Sequence, residues 1–133
     1  MKLKEYFEKI KGRGILATAD ADGRVNAAIY ARPHVMDDQT VAFIMADRLT
    51  HHNLQSNPYA AYLFMEDSPA YKGVRLVLTK TREEQDSELL YSLRRKSYPP
   101  EEQAQEKTLF LVFFTVDNIL PLTGSGKCPV TGT

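Results

Sequence analysis

Leu109 to Phe114, LFLVFF, is an unbroken apolar run inside the segment TLFLVFFTV, and it constrains the fold more than any other stretch of the chain. A membrane span needs about 18 apolar residues, which this run does not approach. It reads instead as a strand that must be covered on both faces. Tyr59 to Phe64, YAAYLF, makes the same demand. A small closed barrel covers the inner face of such strands and leaves the outer one to something else. A second copy of the chain is one way to cover it.

The rest of the sequence supplies the barrel. GILATAD (14–20), VNAAIYARPHV (25–35), VAFIMA (41–46), YAAYLFME (59–66), VRLVLTKT (74–81) and TLFLVFFTV (108–116) are six strand candidates. The turn Asp20 to Gly23 joins the first two as a hairpin, with Gly23 free to take positive φ. Met36 to Gln39 makes a second turn, and Pro69 and Gly73 break the loop from Asp67 to Gly73. Leu3, Tyr6, Phe7 and Ile10 fall at helical spacing, predicting a short amphipathic helix closed by Gly12 and Gly14. Glu83 to Arg95 reads as another helix, with Leu89, Leu90 and Leu93 on one face and a capping box in Thr81 to Glu84. A loop at Pro99 and Pro100 leads to the last strand. The expected class is mainly β, a closed or nearly closed antiparallel barrel with flanking helices.

With 133 residues, 43% of them apolar, one domain spanning 1–133 can build its own core. Seventeen Lys plus Arg against seventeen Asp plus Glu leave no net charge. General affinity for nucleic acid or anionic membrane therefore has no compositional basis. The single Cys128 excludes an internal disulfide. Met1 to Gly12 is charged rather than apolar in its middle, unlike a signal peptide, so a cytoplasmic location is expected.

The polar stretch RLTHHNLQSNP, Arg48 to Pro58, lies between two strand candidates and raises two readings. Adjacent His51 and His52 point about 100° apart on a helix, where a shared metal wants ligands at i and i+4. His34 lies on a different strand, and no spaced Cys or carboxylate set completes a site, so no metal is expected. An anion is the better fit. Thr50 reads as an N-cap, leaving the next amides at the positive end of the helix dipole. Arg48 stands where a guanidinium can fork phosphate oxygens. Ala28, Tyr30 and Arg32 share one face of the neighbouring strand, a wall that runs from small to aromatic to cationic. The plainer alternative is that Arg32 and Arg48 are surface charges and Thr50 only caps.

Leu16-Ala17-Thr18-Ala19, Asp22-Gly23, Asp37-Asp38 and Leu54-Gln55-Ser56-Asn57-Pro58, in that order, resemble the FMN-binding split-barrel family related to pyridoxamine 5'-phosphate oxidase. The resemblance covers about residues 4–85 by pattern and the remainder by topology. It implies a six-stranded antiparallel split barrel that forms a homodimer with FMN at the interface. The family's ring-binding second strand maps to Asn26, Ala28, Ile29, Tyr30 and Arg32, and its phosphate loop to Ala46, Arg48, Leu49 and Thr50. Where the family often carries an Arg-Lys or Lys-Thr pair, this chain has Leu49-Thr50. The oxidases proper also carry an Arg-x-His near the C-terminus, and nothing of that kind follows Val116, so vitamin B6 oxidation is not expected.

A flavin brings its own redox chemistry, so no side-chain acid, base or nucleophile has to be assigned, and the catalytic residues stay unknown. Asn26 or backbone amides would tune the ring. The electron donor, acceptor and substrate are not legible. The tail Leu122 to Pro129, LTGSGKCP, is not a phosphate loop. Pro121 stands where the leading glycine belongs, and Cys128 stands where Ser or Thr should follow the Gly-Lys pair. Flexibility accounts for its glycines, and Lys127 and Cys128 are left without a role. Two other classes remain open. One is a split barrel holding haem, with His51 or His52 as axial ligand, or a deazaflavin; the other is a cofactor-free dimeric binding module.

Overall fold

The computed structural model of the chain describes residues 1–97 and 108–131. Among the described residues the elements in order are α1 (Leu3–Lys9), β1 (Gly12–Ala19), β2 (Val25–Ile29), β3 (His34–Val35), β4 (Thr40–Ala46), α2 (Leu49–Ser56), β5 (Tyr59–Glu66), β6 (Gly73–Gln85), α3 (Glu88–Ser97) and β7 (Leu109–Pro121). The strands form one antiparallel sheet in the order β2-β1-β5-β6-β7-β4-β3. The expected mainly-β split barrel is what the chain forms, with seven strands rather than six among the described residues.

The extra strand arises because VNAAIYARPHV is cut in two. Through Ile29 the chain pairs with β1; Tyr30 still donates its amide to the Gly14 carbonyl, and then the backbone leaves. Pro33 has no N–H to offer a ladder. His34 and Val35 pair instead with Ala42 and Val41 of β4, at the opposite end of the sheet. The crossing from β1 to β4 is where the barrel splits.

Leu16, Tyr62, Phe64, Leu76, Leu78, Phe114 and Val112 point inward, all essentially buried, with Leu3, Tyr6 and Phe7 of α1 packed among them. Their aromatic rings meet edge to face, as Tyr6 with Phe64 at 5.8 Å and Phe43 with Phe114 at 5.8 Å between centroids. Helix α1 ends at Lys9, with Ile10 as its C-cap, before the glycines expected to close it. Gly12 and Gly14 lie in β1, where a side chain at Gly14 would run into the Tyr62 ring and one at Gly12 into the β5 backbone. The glycines serve close approach between strands, not helix termination. Gly23 does take positive φ, 82°, in the β1–β2 turn.

The expected helix from Glu83 also begins later. Thr81 to Glu84 belong to β6, where Arg82, Glu83 and Glu84 pair with Phe113, Val112 and Leu111. The Arg82 guanidinium lies over the Phe113 ring, 3.9 Å from its centroid. Asp86, with φ 48°, turns the chain, and the Ser87 hydroxyl then accepts the Leu90 amide at 3.1 Å to cap α3. A long cross-strand partner in β7 outweighs the local capping signal. The loop expected at Pro99 and Pro100 lies outside the described residues.

The two doubly apolar runs are covered differently. On β7, Phe110, Val112 and Phe114 join the barrel interior, while Leu109, Leu111 and Phe113 form a second cluster with Leu90 and the half-buried Leu93 of α3. The outer face of β2, β1 and β5 has no such cover among the described residues. Ile15 lies between Ile29 and Leu63 across the strands, and Ala17 between Ala27 and Ala61. Val25 is 84% and Ile29 77% exposed, with Leu63 and Met65 also exposed.

Candidate functional site

The site is set by the β1–β2 hairpin and by α2, which crosses one of its ends. Asp20 Oδ1 accepts the amides of Asp22 and Arg24, both at 2.9 Å, which fixes the turn and hence where β2 starts. Helix α2 is tied to this hairpin by side-chain amides. Asn53 Nδ2 donates to the buried Thr18 hydroxyl at 3.1 Å, Asn57 Nδ2 to the Asp20 carbonyl at 3.4 Å, and Asn26 Nδ2 to the Thr50 hydroxyl at 3.5 Å. These bonds aim the start of α2 along β2.

Arg48, rather than Thr50, occupies the N-cap. It has extended backbone, and its amide donates to the Ala46 carbonyl at 2.9 Å. The helix begins at Leu49, so Thr50 is its second residue and its hydroxyl is engaged with Asn26. The helix therefore starts two residues earlier than Thr50 as N-cap would place it. Amides of Leu49, Thr50 and His51 now occupy the first turn, where an α-helix provides them no internal acceptor. Leu49 is exposed and Thr50 buried, so backbone and the Arg48 side of the turn form the accessible surface.

Other expected residues are distributed unevenly. Asn26 meets Thr50 at the mouth of the helix, and Ala46 closes β4 just before the turn. Ala28 is half-buried on the Asn26 side of β2, while Ile29 faces outward. Tyr30 packs edge-on to Phe43, with centroids 6.0 Å apart. Arg32 is turned toward α1, where its Nη1 donates to the carbonyls of Phe7 and Ile10, each at 2.9 Å. It thus caps the C-terminal end of that helix.

His51 and His52 separate as their spacing implies. His52 is exposed; His51 is buried and lies flat on Phe110, with ring centroids 3.7 Å apart and 13° between planes. His51 Nε2 is 2.9 Å from Glu83 Oε2, and Nδ1 is 3.4 Å from Asp47 Oδ1. Lys80 Nζ and Gln55 Nε2 donate to the other Glu83 oxygen at 2.7 and 3.0 Å. Burial pushes the Glu83 carboxyl up, but the hydrogen bonds from Gln55, Lys80 and His51 outweigh it and hold the group at about 2. Sequence patterning does not foresee this cluster, because it puts Glu83 on a helix, remote from α2. Among the described residues no group of three or more His, Cys, Asp and Glu side chains could hold a metal ion.

A second concavity, of about 590 Å³, opens where α1, the 31–36 crossing and the end of α3 meet. Lys4, Arg32 and Lys96 contribute cationic groups to its lining, Phe7 and Met36 apolar surface, and His34 a ring whose pKa is lowered by burial. The only pairing in the sequence that hints at it is Arg32 with His34, two residues apart.

The family model for pyridoxamine 5'-phosphate oxidase matches residues 3–115. Among solved structures, an FMN-binding protein from Syntrophomonas wolfei subsp. wolfei is similar at a TM-score of 0.74 and 17% identity, over 92% of this chain and 84% of that one. HupZ of Group A Streptococcus aligns at 0.68 and 20% identity, over 95% of each chain. HutZ, the heme storage protein from Vibrio cholerae, aligns at 0.59 and 22% identity, over 93% of each. No curated protein sequence matches.

Proposed function

We propose, for a chain that belongs to the pyridoxamine 5'-phosphate oxidase family, that residues 1–133 form one cytoplasmic flavin-binding domain, a homodimer holding FMN and acting as an oxidoreductase. The observation that carries the reading is the start of α2. First-turn amides without a helical acceptor, the Arg48 N-cap and the Asn26–Thr50 pair converge beside β2, whose outward face is apolar and bare.

The residues fit the group. A phosphate suits the amides of Leu49, Thr50 and His51 with Arg48 beside them, and Thr50 is held in place by Asn26 rather than left to rotate. Small Ala28 leaves room for a flat ring against β2, and the backbone of Asn26 to Tyr30 would orient it. The absence of an Arg-Lys pair leaves Arg48 as the cation of the turn. Arg32 contributes indirectly, by fixing α1 against the 31–36 crossing. When bound, the flavin supplies hydride or single-electron transfer, and the chain's part is to hold, orient and shield it. The groove beside Lys4, Arg32 and Lys96 offers space for a reaction partner. Because Ile29, Ile15 and Leu63 stand exposed in one row across three strands, a second copy packed there would cover them.

Similarity to a heme storage protein makes haem the reading to exclude. His51 stacks on Phe110 and meets Glu83 through Nε2, an arrangement that favours a structural role for it, while His52 on the same helix is exposed. The test is a visible spectrum of the purified protein before and after loading with FMN and gel filtration. Flavin bands that remain with a dimer-sized peak are expected. A Soret band, or a colourless protein that retains no FMN, overturns the proposal. Arg48→Ala should weaken FMN binding by about 1.5–3 kcal/mol, the scale of a charge-assisted hydrogen bond, and Thr50→Val by less. An unchanged dissociation constant for Arg48→Ala removes that residue from the site.

A further inference from the structure

We propose that the cavity between α1, the 31–36 crossing and the end of α3 is a binding site for a small organic carboxylate with an apolar body. The inference deepens the reading above, in which this groove takes the reaction partner, and rests on it for the ligand's role; the binding itself is argued from the cavity.

The cavity volume, about 590 Å³, falls within the ~300–1,000 Å³ of small-molecule sites. Its lining divides by chemistry. Phe7, buried, and Val35, Met36 and Leu93, each half-buried, supply apolar surface. Lys4, Arg32 and Lys96 bring three positive charges against the one carboxylate of Glu8. Burial lowers the pKa of His34, so at neutral pH its ring joins the lining uncharged. Three cations less one carboxylate leave an excess of two positive charges here, in a protein with no net charge. A local excess of this kind favours anions.

Arg32 gives the excess a direction. Its Nη1 donates to the carbonyls of Phe7 and Ile10 at 2.9 Å each, which fixes the guanidinium before any ligand arrives. Among the described residues it has no other hydrogen-bond partner, so the edge formed by Nε and Nη2 is left to meet two oxygens of one group side by side. A carboxylate presents such a pair in one plane, and its hydrocarbon part has Phe7 and Met36 to lie on. Inorganic phosphate matches the charge but offers nothing to the apolar side; a neutral alcohol has the reverse defect. Lys4 of α1 and Lys96 of α3, both exposed, add attraction from two elements.

The test follows hexanoate, 1-hexanol and inorganic phosphate by amide NMR titration of the protein with and without FMN. Hexanoate should give saturable shifts centred on Phe7, Arg32, His34 and Met36. It should bind at least about tenfold more tightly than either control, the scale of one charge-assisted hydrogen bond. Lys4→Gln and Lys96→Gln should each weaken hexanoate by about two- to fivefold, as exposed pairs do, and Glu8→Gln should strengthen it. Arg32→Lys keeps the charge and loses the fork, and should weaken it by about tenfold or more. Lys4, Glu8 and Lys96 are exposed, so their variants keep the fold and decide the matter if Arg32→Lys does not. Hexanoate bound no better than 1-hexanol or phosphate, or indifferent to all three exposed charges, overturns the site. So does displacement of hexanoate by FMN, which would make the cavity part of the flavin's own place. Hexanoate binding in a protein that retains no FMN would sink the flavin reading and leave the site standing. FMN retention without hexanoate binding would sink the site alone.

Discussion

Arg32 and Arg48 carry the same guanidinium and do different work. Arg32 donates to the last carbonyls of α1, and Arg48 forms the N-cap of α2. Arg32→Gln should lower stability by about 1–3 kcal/mol, since it strips two carbonyls of a charged donor. It should change FMN affinity little. Chemical denaturation and flavin titration on one sample separate the two effects, and a large affinity loss at unchanged stability would place Arg32 on the cofactor instead. Strand parity alone puts Arg32 on the Ala28 and Tyr30 side, and the half-burial of all three agrees. What parity does not show is that α1 returns to that spot, because the contact joins residues more than twenty positions apart. Thr50 differs for the opposite reason: local capping preference names it, and its bond to Asn26 accompanies a helix start at Leu49.

At the level of elements, β6 and α3 show where periodicity loses to pairing. Thr81 to Glu84 carry a capping signature, yet β7 runs alongside and takes them as strand. Only Ser87, after the Asp86 turn, caps α3. The apolar face of α3 is legible in the sequence: Leu90 is fully buried and Leu93 half so, although Leu89 is turned toward solvent. Leu90→Ala should cost about 2–5 kcal/mol, read from urea unfolding, because it opens the cluster under α3. Glu83 gives a second prediction. Its folded value near 2 lies below the ordinary 4.5, so it stabilises the fold fully above about pH 4.5. That contribution is lost as pH falls toward 2. Glu83→Gln should flatten the acid limb of the stability curve between these values and leave a less stable protein at pH 7. An acid limb identical to wild type would detach Glu83 from the α2 anchor.

For the whole molecule, the two doubly apolar runs fare differently among the described residues: one is covered by a helix and the other is bare on its outer face. Both are recognisable from sequence as needing two covers. That α3 of the same chain shields β7 and leaves the β2-β1-β5 face bare depends on where a helix docks, and no local pattern records that. Leu63→Glu places a charge on the β5 side of the bare face and should convert a dimer to monomer while leaving the fold intact. Light scattering coupled to gel filtration reads the mass directly. A protein of unchanged mass would move the interface elsewhere, and with it the expected position of the flavin.

The sheet order has a consequence for how the chain reaches this state. β7 is the last of these strands to be made and lies between β6 and β4, so Thr40 waits for Thr115 and Val74 for Pro121. Until it arrives, the nascent polypeptide presents two raw strand edges and the unclosed interior between them, a template for neighbouring chains on a polysome. Closure depends on long-range pairings of this kind, which favour slow folding. Substitutions that weaken Leu111 and Phe113, the neighbours of Val112 on that strand, should therefore reduce soluble yield more than they reduce the stability of whatever protein does fold.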